Sequence, residues 1–338
     1  MALKGVVVQD QVHAASEVSF KLHEELAEAL EIQSYRKLPV LSASRSRSRG
    51  SGEICPWLDG DVDVRVMDPN GAQVSPHELC TKLMAAAQAA GAELRIGAAE
   101  GVEMETDGDI ERVTGVKVDG EVLEAEKVCV CLGPWAALAE DWFGMPVPMT
   151  GVKSSSIVYQ TKSEVEPFAV FCGEDSRYGT HLEIYPRNSG EVYICGIGGS
   201  QYIDAATLRG ENGGLLPSEV EPDPQRVEAA TACFSEMSRK LGGKPDVVQA
   251  CMRPCPPDAL PIMGKVPHVK NAYISAGHNC WGILWAPVSG KAMSELILDG
   301  AAKCVDLRHF RPGRFAKSGT QAARRGRKMG TVPVGEQW

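Results

Sequence analysis

The chain has 338 residues, 43% of them hydrophobic and 23% charged, ordinary globular values with room for two domains or for one domain carrying a large insertion. A formal net charge of -9 argues against a general nucleic-acid binder. No apolar run approaches the roughly 18 residues of a membrane helix, and the opening stretch MALKGVVVQDQVHAAS holds too short an apolar segment for a signal peptide, so a cytoplasmic protein is expected.

Taken in chain order, Leu22, Leu26, Ala29 and Leu30 lie at helical spacing and predict an amphipathic helix from about Ser16 to Glu31. The stretch SASRSRSRGSG, residues 42–52, has no apolar periodicity and reads as a flexible basic loop, with a phosphorylatable Arg-Ser segment as the alternative. A second helix starts at Ser75 as N-cap with Pro76 at its first position, Glu78 completing a capping box, and Gly91 closing it. Short strands with glycine turns follow over GAELRIGAAEGVEME and VTGVKVDGEVLEAEKVCVCLG, and Lys127 to Leu132 has the apolar pattern of a strand buried on both faces in a parallel sheet. Eleven cysteines, among them Cys129-x-Cys131 and Cys251-x3-Cys255 but no CxxC, point to reduced thiols rather than a zinc site.

The middle third alternates as β-structure does, with Asn188-Ser189-Gly190 as a hairpin turn. Asp223 and Pro224 open a helix with Val227, Ala230, Phe234, Met237 and Leu241 on one stripe. The expected division is an α/β domain from 1–41, 68–150 and 250–316, a flexible connection at 42–67, a β-rich domain at 151–249, and a disordered basic tail at 317–338. A nuclear or nucleic-acid signal in that tail is the minority reading.

The segment YISAGHNCWGILWAPVSGKAMSELI, residues 273–297, runs from a strand through a glycine-bracketed loop into a helix. Such a unit brings unpaired backbone N–H groups and the positive end of a helix dipole to one point, where an anion or developing negative charge is stabilised by roughly 0.3–2 kcal/mol. A tight core turn, with His278 and Trp281 as packing residues, explains the same residues equally well on local physics alone.

Arg253-Pro254, then Asp258, Pro261 and Gly264, then a strand, then Gly277-His278 and Gly282 opening a helix, resemble in order and spacing the closing segment of the D-amino-acid oxidase/glycine oxidase-like family of FAD-dependent oxidoreductases. VCVCLGPWAA resembles that family's strand ending in Gly-x-Trp, here Gly133 and Trp135, and HLEIYPRNSGEVYICG its substrate-domain hairpin. The resemblance runs from about Phe20 to Phe315 and implies an α/β plus β-rich fold: an FAD-binding Rossmann-like domain with an inserted antiparallel-sheet substrate domain. The family opens with a βαβ unit whose GxGxxG turn cradles the FAD pyrophosphate. No GxGxxG stands near the N-terminus here, so a shortened FAD domain is expected.

The resemblance further implies FAD as cofactor and a small amine or amino-acid-like substrate, oxidised by hydride transfer to the flavin. Val102 would contact the adenine side, Gly133 and Trp135 would be further cofactor contacts, and the run Gly277, Asn279, Cys280, Trp281, Gly282, Ile283 and Leu284 would lie along the flavin edge. Arg253 would pair with the substrate carboxylate, and His278, placed at the reacting centre, would order the loop rather than act as a base. Rival readings are a non-catalytic binding or trafficking protein with an oxidase-like fold, and an NAD(P) dehydrogenase, which would also need the glycine turn.

Overall fold

The computed structural model describes residues 2–46, 54–108, 110–162 and 164–316. In chain order the elements are α1 (Ala2–Ala29), β1 (Arg36–Arg45), β2 (Val62–Gln73), α2 (Pro76–Ala89), β3 (Ala99–Asp107), β4 (Ile110–Val118), β5 (Glu121–Glu124), β6 (Val128–Val130), α3 (Ala139–Phe143), β7 (Thr150–Gln160) and β8 (Ala169–Cys172). They continue as β9 (Glu183–Pro186), β10 (Glu191–Cys195), β11 (Gln201–Ile203), α4 (Ala205–Leu208), α5 (Pro224–Met237), β12 (Val247–Cys255), β13 (Ile262–Lys265), β14 (Val269–Lys270), β15 (Ala272–Ala276) and α6 (Gly282–Leu298). The basic tail expected at 317–338 lies outside the described residues.

An eight-stranded sheet in the order β11-β7-β10-β9-β8-β1-β2, with β12 also on β7, forms the larger layer. Its pairings are antiparallel except β1 with β8. Strand alternation decides what each face does. Leu41, Ala43, Val62, Val64, Ile157, Val170, Ile184, Val192 and Ile194 point to one side and close a core with Ala230, Cys233, Phe234 and Met237 of α5. Helix α5 starts as its sequence predicts, the Asp223 side chain accepting from the N–H groups of Gln225 and Arg226. The hairpin turn at 188–190 also forms, with Gly190 at φ 85° between β9 and β10.

The expectation of a flexible connection at 42–67 is corrected at its two ends, because β1 runs to Arg45 and β2 begins at Val62. Leu41 and Ala43, at alternate positions, are buried and outweigh the polar serines between them. Residues 36–41, 68–73 and 250–255, expected in the α/β domain, likewise pair within the large sheet. Pro39 sits where the β1–β2 register shifts, a bulge that tolerates its missing N–H.

The smaller layer holds two sheets, β13-β15-β6 and β14-β4-β3 with β5 on β4. β6 runs parallel to β15, with Val130 opposite Ile274. Both sheets share a core of Val113, Val128, Val130, Ile262, Ile274 and Ala276, against which Val102 packs. Two further expectations need correction. β6 is an edge strand of three residues, and Cys131 just beyond it is exposed rather than buried. The stretch 92–98, expected as a strand, forms none, and its Leu94 and Ile96 are 49% and 84% exposed. The Ser75 cap is also absent as a side-chain bond. Glu78 instead accepts from the N–H groups of Gln33 and Ser34, tying α2 to the turn after α1.

Candidate functional site

The loop after β15 is shaped by close backbone packing. Gly277 has φ 80°, and a Cβ there would lie 2.5 Å from Pro256 Cγ, so only glycine lets the chain leave β15 against the Pro256 ring. Asn279 has φ 51°, a conformation asparagine tolerates, and its Oδ1 accepts from the Cys255 thiol at 3.0 Å. The 3-10 turn Asn279–Trp281 thus rests on β12, and Trp281 caps α6 without a side-chain hydrogen bond of its own. The first-turn N–H groups of α6 therefore remain available, flanked by Trp281 at 46% and Ile283 at 51% exposure. Gly282 is in the ordinary right-handed helical region, and a Cβ there would meet His278 Cβ at 3.7 Å, an ordinary contact.

His278 points inward. Its Nε2 bonds Ser289 Oγ at 2.9 Å, and its ring stands edge-on to Trp285. Burial lowers its pKa from 6.5 to about 4, so it is neutral at physiological pH. The neutral ring thus ties the start of the loop to Ser289 on α6.

Pro287 lies inside α6, in its second turn, and cannot donate to the carbonyl of Ile283 four residues earlier. That carbonyl is taken by His23 Nε2 of α1 at 2.9 Å. Ser19 Oγ accepts from Val288 N–H and Ser16 Oγ from Trp285 Nε1. Residues 16, 19 and 23 share one helical face, so a polar stripe of α1 fixes the first turns of α6 and with them the direction of its free N–H groups. Sequence reasoning missed this stripe, although Pro287 at a helix interior announces a carbonyl in need of a donor.

Arg253 is half-buried on β12 beside this loop. Burial raises the thiols of Cys255, to about 11, and Cys280, while the nearby Arg253 charge pulls both down. β12, which carries Arg253, packs against the Asn279–Trp281 turn. The 3-10 turn that begins at Gly133 (φ 56°) packs against β12 and β15, while Trp135 Nε1 donates to the Leu215 carbonyl at 2.8 Å. Val102 sits in the core beneath, on β3. An exposed helix N-terminus beside two partly exposed apolar side chains and a guanidinium fits the edge of a flavin ring. Among the described residues none forms a GxGxxG turn for the pyrophosphate.

The sequence profile of the FAD dependent oxidoreductase family matches residues 12–296. A glycine oxidase of Pseudomonas putida is 27% identical over 202 residues, covering 60% of this chain and 49% of the relative. A bifunctional protein ThiO/ThiG of Trichormus variabilis is 26% identical over 265 residues, 78% of this chain and 36% of the relative. Overall, the chain spans 35% to 49% of the length of the first curated relatives it matches. In fold it is similar to an L-proline dehydrogenase from P. horikoshii, with a TM-score of 0.70 at 19% identity, covering 90% of this chain and 83% of that one. Glycine oxidase from Geobacillus kaustophilus gives 0.68 at 19% identity, covering 89% and 81%. With the match extending from α1 to the end of α6, the chain belongs to the FAD dependent oxidoreductase family.

Proposed function

We propose that this protein oxidises a small amine or amino-acid-like substrate with FAD as the hydride acceptor. The observation that supports the reading is that β12, which carries Arg253, packs against the turn Asn279–Trp281 leading into the uncapped N-terminus of α6, within a chain of this family. FAD, when bound, supplies a ring that takes two electrons and a proton as hydride. A substrate amine that gave up a hydride from its α-carbon would become an iminium ion, which water would hydrolyse to the carbonyl compound and ammonium.

The chain's own residues orient and stabilise. The guanidinium of Arg253 offers a two-pronged donor to a carboxylate and so fixes the α-carbon. The N–H groups at Gly282 to Leu284, at the positive end of the α6 dipole, would hold the ring edge on which negative charge accumulates. His278 and the α1 stripe hold those groups in place. Val102, Gly133 and Trp135 would hold the rest of the cofactor. Eleven free thiols support a reducing, cytoplasmic setting.

The test is anaerobic mixing of the purified chain, with added FAD, against a panel of amino acids and simple amines. Bleaching of the protein-bound flavin absorbance by at least one of them is expected, and none by any member contradicts the proposal. The second reading, a binding protein with an oxidase-like fold, draws on the absence of a phosphate cradle among the described residues. It predicts ligand binding without bleaching.

A further inference from the structure

The pair Cys129-x-Cys131 has no part in the hydride-transfer reading, yet its two thiols meet. β6 carries Cys129 and ends one residue before Cys131. Side chains two residues apart along an extended strand point to the same side. Here that spacing brings the two sulfurs to 3.7 Å, and one thiol donates to the other. Their surroundings differ. Cys129 lies opposite Tyr273 of β15 and packs, half-buried, against the core that Met263, Tyr273 and Met293 share. Cys131 is exposed, just past the edge strand of its sheet. A molecule arriving from solvent therefore meets Cys131 first, with Cys129 in contact with it.

The contact also separates the two acidities. The hydrogen bond from Cys129 lowers the Cys131 thiol more than burial raises it, whereas that bond, burial and the charge of a Cys131 thiolate all push Cys129 up. An exposed sulfur with thiolate character beside a protonated partner is the arrangement of a nucleophile with its resolving thiol. Bridging lies within reach of the backbone. Two residues of extended chain rise roughly 6.6 Å, near the upper limit of the about 4.4–6.8 Å between Cα atoms that a disulfide spans. The sulfurs have to close from 3.7 Å to about 2.05 Å. A bridge formed at that limit is readily reduced again, which suits reversible exchange rather than a permanent cross-link.

We propose that Cys129 and Cys131 form a reversible redox site that exchanges with a small-molecule disulfide. The Cys131 thiolate attacks one sulfur of the disulfide RS–SR, whose S–S bond breaks, and one RS⁻ leaves and takes a proton from water. Cys129 gives its proton to solvent and attacks Cys131 Sγ, expelling the second RS⁻, which is protonated in turn. Two protein thiols are thereby oxidised to one disulfide, and RS–SR is reduced to two RSH. The chemistry needs neither flavin nor an amine substrate.

The test is incubation of the full chain, folded and reduced, with oxidised glutathione, followed by alkylation, proteolysis and mass spectrometry of the peptide that carries both cysteines. In wild type that peptide is expected to lose two hydrogens and to regain them with dithiothreitol. The loss should be at least about ten-fold faster than glutathione addition to Cys80, which is also exposed. Cys129→Ser is expected to stop at a glutathione adduct on Cys131, and Cys131→Ser to leave Cys129 unmodified over the same time. The wild-type measurements need no variant. A wild-type peptide that keeps both thiols or stops at an adduct, a reaction no faster than that of Cys80, or an adduct on Cys129 in Cys131→Ser formed at the wild-type rate overturns the inference.

Discussion

Arg253 and His278 divide the work at the site in a way their environments dictate. Arg253 lies half-buried on β12 beside the loop, and in the proposed function removing it leaves a carboxylate substrate without a charge-assisted pair worth about 1.5–3 kcal/mol. Arg253→Ala is expected to raise KM for amino acids by roughly ten- to a hundred-fold, while that for a carboxylate-free amine changes little. An unchanged amino-acid KM means the carboxylate is held elsewhere. His278 makes its contribution through stability. Its folded pKa is lowered to about 4 by burial, below its ordinary 6.5. Between those values the unfolded chain binds the proton more readily, so stability falls as pH drops through this window, by at most about 3 kcal/mol. His278→Gln is expected to flatten the decline in Tm between pH 6.5 and 4, and parallel curves for variant and wild type would assign the acid sensitivity to other groups.

At the scale of elements, α1 and α6 act as one unit because Pro287 withholds a donor that His23 replaces. His23→Ala is expected to cost about 1–2 kcal/mol by leaving the Ile283 carbonyl unpaired. In a Pro287→Ala background the restored N–H takes over, and the same substitution should cost less than half as much. Equal costs in both backgrounds, measured by denaturant unfolding, would show that His23 acts by packing alone. The sequence announced α5, the 188–190 hairpin and the strand–loop–helix ending in α6, because each carries local chemistry: an Asp cap, a turn glycine, a proline and bracketing glycines. It concealed β1 and β2, whose alternation is carried by small or sparse residues such as Ala43 and Val64 amid serines and arginines. It also concealed the partner of Glu78, since a capping box and a tertiary bond to the Gln33–Ser34 backbone use the same carboxylate. Of the site, the Gly277 to Leu284 loop and Arg253 were legible from motif spacing. The α1 stripe was not, because it arises from packing between helices distant in sequence.

For the molecule as a whole, two layers meet around Arg253 and the loop, and one flank of the smaller layer is unusually apolar. Leu94, Ile96 and Val122 are exposed at 49%, 84% and 49%, and β6 offers an open edge. Exposed apolar side chains and an unpaired strand edge favour self-association. Ile96→Lys is therefore expected to reduce concentration-dependent association in sedimentation without lowering Tm. A variant that associates as strongly as wild type would direct attention to the β6 edge instead.

The central claim is that the N-terminus of α6 and its loop hold a flavin ring, and it is tested most directly by titrating the chain with riboflavin and with FAD while following tryptophan fluorescence. Trp281, 46% exposed at that helix end, is the reporter, and Trp281→Phe the control. The account predicts saturable quenching by both flavins, largely lost in Trp281→Phe, with affinities within about ten-fold of each other, because the described residues offer a ring site and no GxGxxG phosphate cradle. Quenching by neither flavin, or quenching untouched by Trp281→Phe, would contradict it.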